Sequence, residues 1–172
     1  LQPDPTCAGE SFCPLIPLRV PQRVWGAEAT ARWQASKQLA VGGLFTWQRG
    51  EIFDEDFGRF IPFGADTVSP TRVTAYADWA PVETVSARLQ ATWVAAANFF
   101  TPAEQAFGFI NTPSNFLVDV SAGWQLGPGE LTVGASNLFN RRYEYTTLAA
   151  GGFTPALAQG RQVSIGYRLK LR

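Results

Sequence analysis

GELTVGASNLFNRRYEY (residues 129–145) and GRQVSIGYRLKLR (residues 160–172) decide the fold of this chain. In the second segment apolar residues alternate with small or polar ones, and the first segment alternates in the same way up to Ser136. This strict period-two alternation extends over about ten residues. A tilted strand that crosses a bilayer has that length. The pattern predicts a membrane hairpin whose lipid-facing residues in the last strand are Val163, Ile165, Tyr167, Leu169 and Leu171. Arg168 and Lys170 would then face the lumen.

Composition excludes several classes of protein. The chain has 14 basic residues (Lys plus Arg) and 14 acidic residues (Asp plus Glu). It therefore has no net positive charge that would favour binding to nucleic acid. The absence of His and Met, with only 2 Cys, removes most metal sites and His-based catalytic arrangements. We therefore expect neither catalysis nor a cofactor. No run of about 18 apolar residues predicts a transmembrane helix. The chain begins with Leu1 and shows no signal peptide, so we expect a fragment.

The same alternation recurs upstream, and the sequence predicts about seven strands in all. Between them, short turns alternate with long loops, which is typical of bacterial outer-membrane barrels with short periplasmic turns and long extracellular loops. The predicted short turns are at residues 35–38, 80–83 and 127–129. The predicted long outer loops are residues 51–69, 97–114 and the segment inside the last hairpin, and residues 1–21 are a further Pro-rich loop.

All 6 Trp residues fall on the apolar parity and near strand ends. Trp33, Trp79 and Trp124 would lie at the periplasmic rim; Trp25, Trp47 and Trp93 would lie at the outer rim. Two aromatic girdles are what a lipid-facing surface requires at its two interfaces. A soluble antiparallel barrel or sandwich shows the same alternation, but it gains nothing from Trp confined to strand ends.

Charged residues fall on the opposite parity of the strands. They are Glu28, Arg32, Arg72, Asp78, Arg88, Asp119, Arg168 and Lys170. On a lipid face near the midplane each Arg or Lys would cost about 2–4 kcal/mol, so these side chains are expected to face a wet or plugged lumen. About seven strands, of which the first descends from an outer loop, do not close around such a lumen. The chain is therefore expected to be part of a barrel.

The last hairpin resembles the C-terminal end of TonB-dependent outer-membrane receptors. The resemblance rests on Asn137-Leu138-Phe139-Asn140-Arg141-Arg142-Tyr143 and on Gly160-Arg161-Gln162-Val163. Weaker similarity occurs at Gly26-Ala27-Glu28, at Ser69-Pro70-Thr71-Arg72 with Trp79-Ala80-Pro81, and at Asp119. The chain departs from the family at its end, where Leu171-Arg172 replaces the usual aromatic residue.

This resemblance implies an all-β fold in which residues 1–172 form about seven C-terminal strands of a 22-stranded plugged barrel. It implies an outer-membrane receptor that imports a ferric siderophore with energy from TonB, through a plug and coupling box that this chain lacks. Cobalamin, haem or a sugar are alternative nutrients. A passive porin or adhesin-like barrel, and a soluble β-domain that binds apolar ligands, are the alternative classes. Outer-membrane lipid and lipopolysaccharide are further expected partners.

Candidate ligand-binding residues lie in the predicted outer loops and are aromatic or basic. They are Phe99, Phe100, Arg141, Arg142, Tyr143 and Tyr145. Aromatic faces suit the shell of a chelate, and guanidinium groups suit an anionic ferric complex. The aromatic residues are equally suited to packing the loops together, and the two Arg to lipopolysaccharide phosphates.

Three other motifs are interpreted structurally. Asn137 and Asn140 are expected to cap backbone groups at a strand end rather than to bind ligand. Cys7 and Cys13 lie in a presumed outer loop that matures in an oxidising compartment, which predicts a disulfide. The acidic run from Glu51 to Asp56 has no partner base or closed ligand set, so we interpret it as a solvated loop.

Overall fold

The computed structural model describes residues 2–3, 15–16, 20–55, 57–62, 68–97, 111–144 and 157–169. All regular elements in these ranges are strands. They are β1 (Gln2–Pro3), β2 (Leu15–Ile16), β3 (Gln22–Gln34), β4 (Leu39–Asp54), β5 (Arg59–Pro62), β6 (Arg72–Val82), β7 (Val85–Val94), β8 (Asn115–Leu126), β9 (Gly129–Ser136) and β10 (Gln162–Leu169). The described ranges contain no helix long and apolar enough to cross a membrane.

The strands from β3 onward form one antiparallel sheet. Its order is β10-β9-β8-β7-β6-β4-β3, with β5 paired to β4 beside this path. Sequential neighbours pair through short turns or long connections, so the sheet is a meander that does not close. This confirms the predicted all-β segment of a barrel and its predicted number of main strands. The two edges of the segment are β3 and β10.

The register places the apolar parity of every main strand on one face of the sheet. Ala27 pairs with Trp47, and Trp93 pairs with Phe116. At the other end of the sheet Val133 pairs with Ile165. The predicted alternation is therefore correct from one edge strand to the other. All 6 Trp side chains are exposed on this face, with Trp33 the most exposed at 67%.

No second layer covers either face of the sheet among the residues that the structure describes. The buried apolar residues there are only Ala40, Val68 and Ala97, whereas Val163 and Ile165 are more than three-quarters exposed. A soluble sandwich or closed soluble barrel of this length would bury its large apolar side chains. The soluble alternative is therefore wrong, and the exposed apolar face requires a lipid solvent.

The predicted loop at residues 51–69 is partly wrong. Strand β4 continues to Asp54, turns, and pairs with β5 from Arg59 to Pro62. The turn forms because Asp54 Oδ1 accepts a hydrogen bond of 3.0 Å from the Phe57 backbone N–H, and because Gly58 takes a left-handed φ of 62°. This hairpin extends the sheet above the outer girdle, so hydrophobic alternation is no longer required there.

Two smaller boundaries also differ from the prediction. The turn predicted at residues 80–83 falls later, because β6 continues to Val82 through an irregular register after Trp79. Residues 1–21 were predicted to be a loop throughout, but the short strands β1 and β2 pair antiparallel within that segment. Neither difference changes which face a membrane residue occupies.

Candidate functional site

A charged cluster lies on the lumen face, in the half of the sheet nearest the short turns. The Arg32 Nη1 group donates a hydrogen bond of 2.8 Å to Asp78 Oδ2, and Arg88 Nε lies 3.3 Å from Asp78 Oδ1. The Arg88 guanidinium also lies 4.3 Å from the centroid of the Tyr76 ring. The carboxylate of Asp78 on β6 thus serves two guanidinium groups, one from the adjacent strand β7 and one from β3, which lies on the far side of β4. The cluster confirms that these charges share the face opposite the Trp residues.

A glycine makes room for this cluster. A Cβ atom at Gly42 would lie 2.5 Å from the Tyr76 ring and 2.8 Å from the Ala31 carbonyl oxygen. The Tyr76 ring therefore packs directly over the backbone of β4, where it supports Arg88. Covering a strand glycine with a cross-strand aromatic ring is a recognised way to fix the register of a sheet.

Asn137 organises the outer end of the last hairpin. Its side chain is almost completely buried and its φ is 48°. The Nδ2 group donates to the Arg141 carbonyl at 2.8 Å and to the Gln159 carbonyl at 3.2 Å, while Oδ1 accepts from the Arg141 N–H at 2.8 Å. Its backbone N–H donates to Asp119 Oδ1 on β8 at 2.8 Å. These bonds agree with the predicted capping role, since both ends of the amide are engaged within the protein.

Further bonds close the base of the long loop between β9 and β10. Asn140 Oδ1 accepts a hydrogen bond of 2.9 Å from the Arg161 N–H. Glu144 and Leu157 form an isolated antiparallel bridge, and the Ala158 N–H donates to the Tyr143 carbonyl at 2.8 Å. We call this set of contacts the loop neck. It fixes where the chain leaves the sheet and where it returns.

The structure describes three of the six proposed ligand-binding residues. Arg141 and Arg142 are exposed at the loop neck, and Tyr143 beside them is half-buried. The backbone of Arg141 is held by Asn137, so its side chain leaves the sheet from a fixed position. The other three residues, Phe99, Phe100 and Tyr145, lie outside the described residues.

The disulfide stays a prediction because Cys7 and Cys13 lie outside the described residues. We expect mass spectrometry of unreduced peptides to find the two residues joined, in protein extracted from the outer membrane. A loop exposed to an oxidising compartment retains such a bond, and closing so short a ring stiffens the loop modestly. Two free thiols in protein trapped with an alkylating reagent at extraction would contradict this expectation.

Sequence reasoning missed a second cluster of charges, which lies at the outer ends of β3 and β4. Arg23 Nε donates to Glu51 Oε2 at 2.7 Å, and a second bond joins Arg23 Nη2 to the same oxygen. The other carboxylate oxygen of Glu51 lies 3.7 Å from Arg49 Nη2. Glu51 is therefore an ion-paired strand residue, and its interpretation as part of a solvated loop was wrong. The sequence did contain a signal for this cluster. Trp47, Arg49 and Glu51 are spaced two residues apart, which places all three on one face if the strand continues past Trp47.

Known proteins share this arrangement of strands. The sequence profile of the TonB dependent receptor-like β-barrel family matches residues 1–138. The solved copper transporter OprC superposes with a TM-score of 0.69 at 16% identity, over 83% of this chain and 22% of that one. The ferric yersiniabactin uptake receptor FyuA of Yersinia pestis gives 0.65 at 20% identity, over 87% of this chain and 24% of that one.

The ferripyoverdine receptor of the outer membrane of Pseudomonas aeruginosa gives a TM-score of 0.61 at 14% identity, over 87% of this chain and 20% of that one. At such identities the superpositions establish the fold alone. The chain spans between 20% and 24% of the length of these three proteins. The profile match ends at residue 138, so it covers the strands up to β9 but only the first two residues of the motif at residues 137–163.

The open sheet with one apolar and one charged face is a segment of an outer-membrane β-barrel. The chain belongs to the TonB-dependent receptors, because the family profile covers most of its length. This family consists of outer-membrane transport receptors, which are not enzymes. Family membership also argues against the passive porin.

Proposed function

We propose that the complete receptor containing this chain imports a ferric siderophore, with energy supplied through TonB. The observation that supports the proposal is that Arg141 and Arg142 are both exposed at the loop neck, where Asn137 holds the Arg141 backbone. Two adjacent cations beside the half-buried Tyr143 suit an anionic ferric complex, because guanidinium groups bind oxyanions through paired, charge-assisted hydrogen bonds. Two structural neighbours, FyuA and the ferripyoverdine receptor, are named for ferric siderophores.

The side chains of this segment favour a chelated metal over a bare ion. A bare ion takes its ligands from the protein, whereas a chelated ion arrives with its ligands already in place. The sequence has no His and no Met. The described residues also contain no group of three or more His, Cys, Asp or Glu that is placed to hold a metal. Import of copper, the metal named for the neighbour OprC, is therefore the less favoured candidate for this part of the receptor.

Uptake would then use both ends of the lumen face. The outer residues capture the complex, and the charged wall formed by Arg32, Asp78 and Arg88 lines the route below it. In this scheme a plug inside the barrel moves when TonB pulls on it. Cobalamin, haem or a sugar as the bound nutrient would replace the siderophore in this scheme without changing the barrel.

Replacing Arg141 and Arg142 together with Gln in the complete receptor should weaken siderophore binding by at least about tenfold. The reason is that one hydrogen bond to a charged group contributes about 1.5–3 kcal/mol, and 1.4 kcal/mol is tenfold in affinity. Fluorescence quenching over a panel of ferric siderophores measures binding, and radioactive iron measures uptake. Arg59→Gln is the matched control, because Arg59 is an exposed cation on a different outer hairpin.

Unchanged affinity and uptake across the panel would remove both Arg residues from the site and leave lipopolysaccharide phosphates as their partner. An equal loss in the Arg59→Gln control would show a general effect of outer charge. Binding of cobalamin, haem or a sugar, with no ferric complex bound, would overturn the substrate class.

A further inference from the structure

The cluster at the outer ends of β3 and β4 faces away from the lumen. Arg23 pairs with Glu51, Trp25 pairs with Arg49, and Ala27 pairs with Trp47 along the two strands. Side chains two residues apart on a strand share a face. Arg23, Arg49 and Glu51 therefore lie on the lipid-facing side, with Arg49 beside Trp25 and the other two directly outside the outer Trp girdle. They are separate from Arg141, Arg142 and the charged lumen wall.

Strand geometry places these charges at the level of the lipid headgroups. Trp25 and Trp33 lie 8 positions apart in β3. At about 3.3 Å per residue and a tilt of about 40° they span about 20 Å of membrane, close to the height of the apolar band. Arg23 lies two residues beyond Trp25, which is about 5 Å further out, and Arg49 lies beside Trp25 as its partner on β4. The hydrocarbon ends there, and phosphate groups begin.

The charges of the cluster do not balance. Glu51 has one oxygen against Arg23 and the other against Arg49, and its side chain is only 13% exposed. Both Arg side chains are 56% exposed. Each guanidinium has five N–H donors, of which Arg23 spends two on Glu51. One positive charge and several donors are thus left pointing outward.

Aromatic rings hold the two cations in place. The Arg23 guanidinium lies 4.1 Å from the centroid of the Phe60 ring, which in turn packs edge-to-face on Phe53 at 5.4 Å. The Arg49 guanidinium lies 6.0 Å from the Trp25 ring. Stacking restricts each guanidinium without using its N–H groups. The cations are therefore fixed before any anion binds.

We propose that Arg23 and Arg49 bind a phosphate group of the phosphorylated glycolipid in the outer leaflet, with Trp25 packed against its acyl region. The occupant follows from charge and height: an uncompensated cation at the headgroup level of a lipid-facing surface meets lipid phosphates before any other anion. A soluble ligand that enters the lumen would approach the opposite face of the strands. The proposal rests on the outer-membrane location alone, so it does not depend on which nutrient the receptor imports.

The test uses the complete receptor purified in detergent, with bound lipid A counted by native mass spectrometry. Arg49→Gln should reduce lipid A affinity by about fivefold, since one cation near a membrane surface contributes about that factor. Arg49→Lys should retain most of the affinity. Glu51→Gln should increase affinity, because it removes the only anion of the cluster. A purely structural role for the Arg23–Glu51 pair predicts no such increase.

Arg72→Gln is the matched control, since Arg72 lies near the same end of the sheet on the lumen face. Lipid A without phosphates should bind the wild-type receptor no better than it binds the Arg49→Gln variant. Equal lipid A binding by wild type and Arg49→Gln would overturn the proposal, as would an equal loss in Arg72→Gln. Displacement of lipid A by millimolar inorganic phosphate would also overturn it, because the site would then accept any free anion.

Discussion

Replacing Ile165 with Arg should prevent most of the receptor from assembling in a bilayer, whereas replacing Ser164 with Arg should be tolerated. Ile165 lies near the middle of β10, pairs with Val133 and is exposed on the apolar face. An Arg on the lipid face at the midplane costs about 2–4 kcal/mol. The neighbouring residue Ser164 pairs with Gly134 on the lumen face, where a guanidinium remains hydrated.

The comparison is sharp because the two positions are adjacent on one strand. Both variants add the same charge and the same side chain at positions one residue apart, so the main difference is the face of the sheet. Folding yield is measured by heat-modifiable electrophoretic mobility after refolding the complete receptor into lipid vesicles. Equal yields for the two variants would show that the register of β10 is wrong. A larger loss for Ser164→Arg would reverse the two faces.

Replacing Asn137 with Ala should loosen the outer end of the last hairpin more than any other substitution in the loop neck. The change removes three side-chain hydrogen bonds and leaves the Arg141 N–H and two carbonyl groups without those partners. One unsatisfied buried group costs about 1–3 kcal/mol. Ala at a φ of 48° adds a further cost of about 1 kcal/mol, because its Cβ disfavours left-handed backbone.

Three control variants divide this effect into its parts. Asn137→Gly should recover about 1 kcal/mol relative to Ala, since glycine accepts the left-handed conformation. Asn137→Asp keeps an acceptor for the Arg141 N–H and should be intermediate. Asn140→Ala should have a smaller effect, because Asn140 is exposed and its side chain accepts a single bond, from Arg161.

Limited proteolysis of the folded receptor measures the effect as cleavage between residues 144 and 157. Cleavage of Asn137→Ala at the wild-type rate would contradict the proposed bracing role. Faster cleavage in Asn140→Ala than in Asn137→Ala would move that role from the buried residue to the exposed one.

The membrane part of the fold was predictable because the bilayer imposes a strict code. Each spanning strand must present apolar side chains to lipid at every second position, so Trp93 and Ile165 could be assigned to a face from their parity alone. The Trp residues then fixed the ends of the strands. No packing partner had to be known, because one face of the sheet meets lipid and not another part of the chain.

Above the girdles the same reasoning fails, because strands surrounded by water do not need an apolar side chain at every second position. Glu51 and Asp54 continue β4 although both are charged and the apolar residues between them, Ile52 and Phe53, do not alternate. The hairpin they form depends on a side-chain bond from Asp54 and on a left-handed Gly58. Contacts such as that of Arg23 with Glu51 depend on pairing between strands, and a sequence pattern does not carry that information.

The candidate site was predictable only in part for the same reason. The motif around Asn137 indicated a cap, and its position beside a strand end predicted the type of bond. It did not indicate that Gln159, on the far side of a long loop, completes the set. The meeting of Asp119 with Asn137 likewise depends on a strand register that only the folded sheet provides.

Because of the loop neck, the sequence between β9 and β10 can vary independently of the strands of the barrel. Its bonds close the chain between Glu144 and Leu157, so the ends of the intervening segment stay fixed whatever that segment contains. Doubling the length of a closed flexible loop costs only about 0.6 kcal/mol. We therefore expect the strands to tolerate insertions and deletions between residues 145 and 156. Related receptors are then expected to differ in the segment between Glu144 and Leu157. The strands, in contrast, stay constrained by their contact with the bilayer.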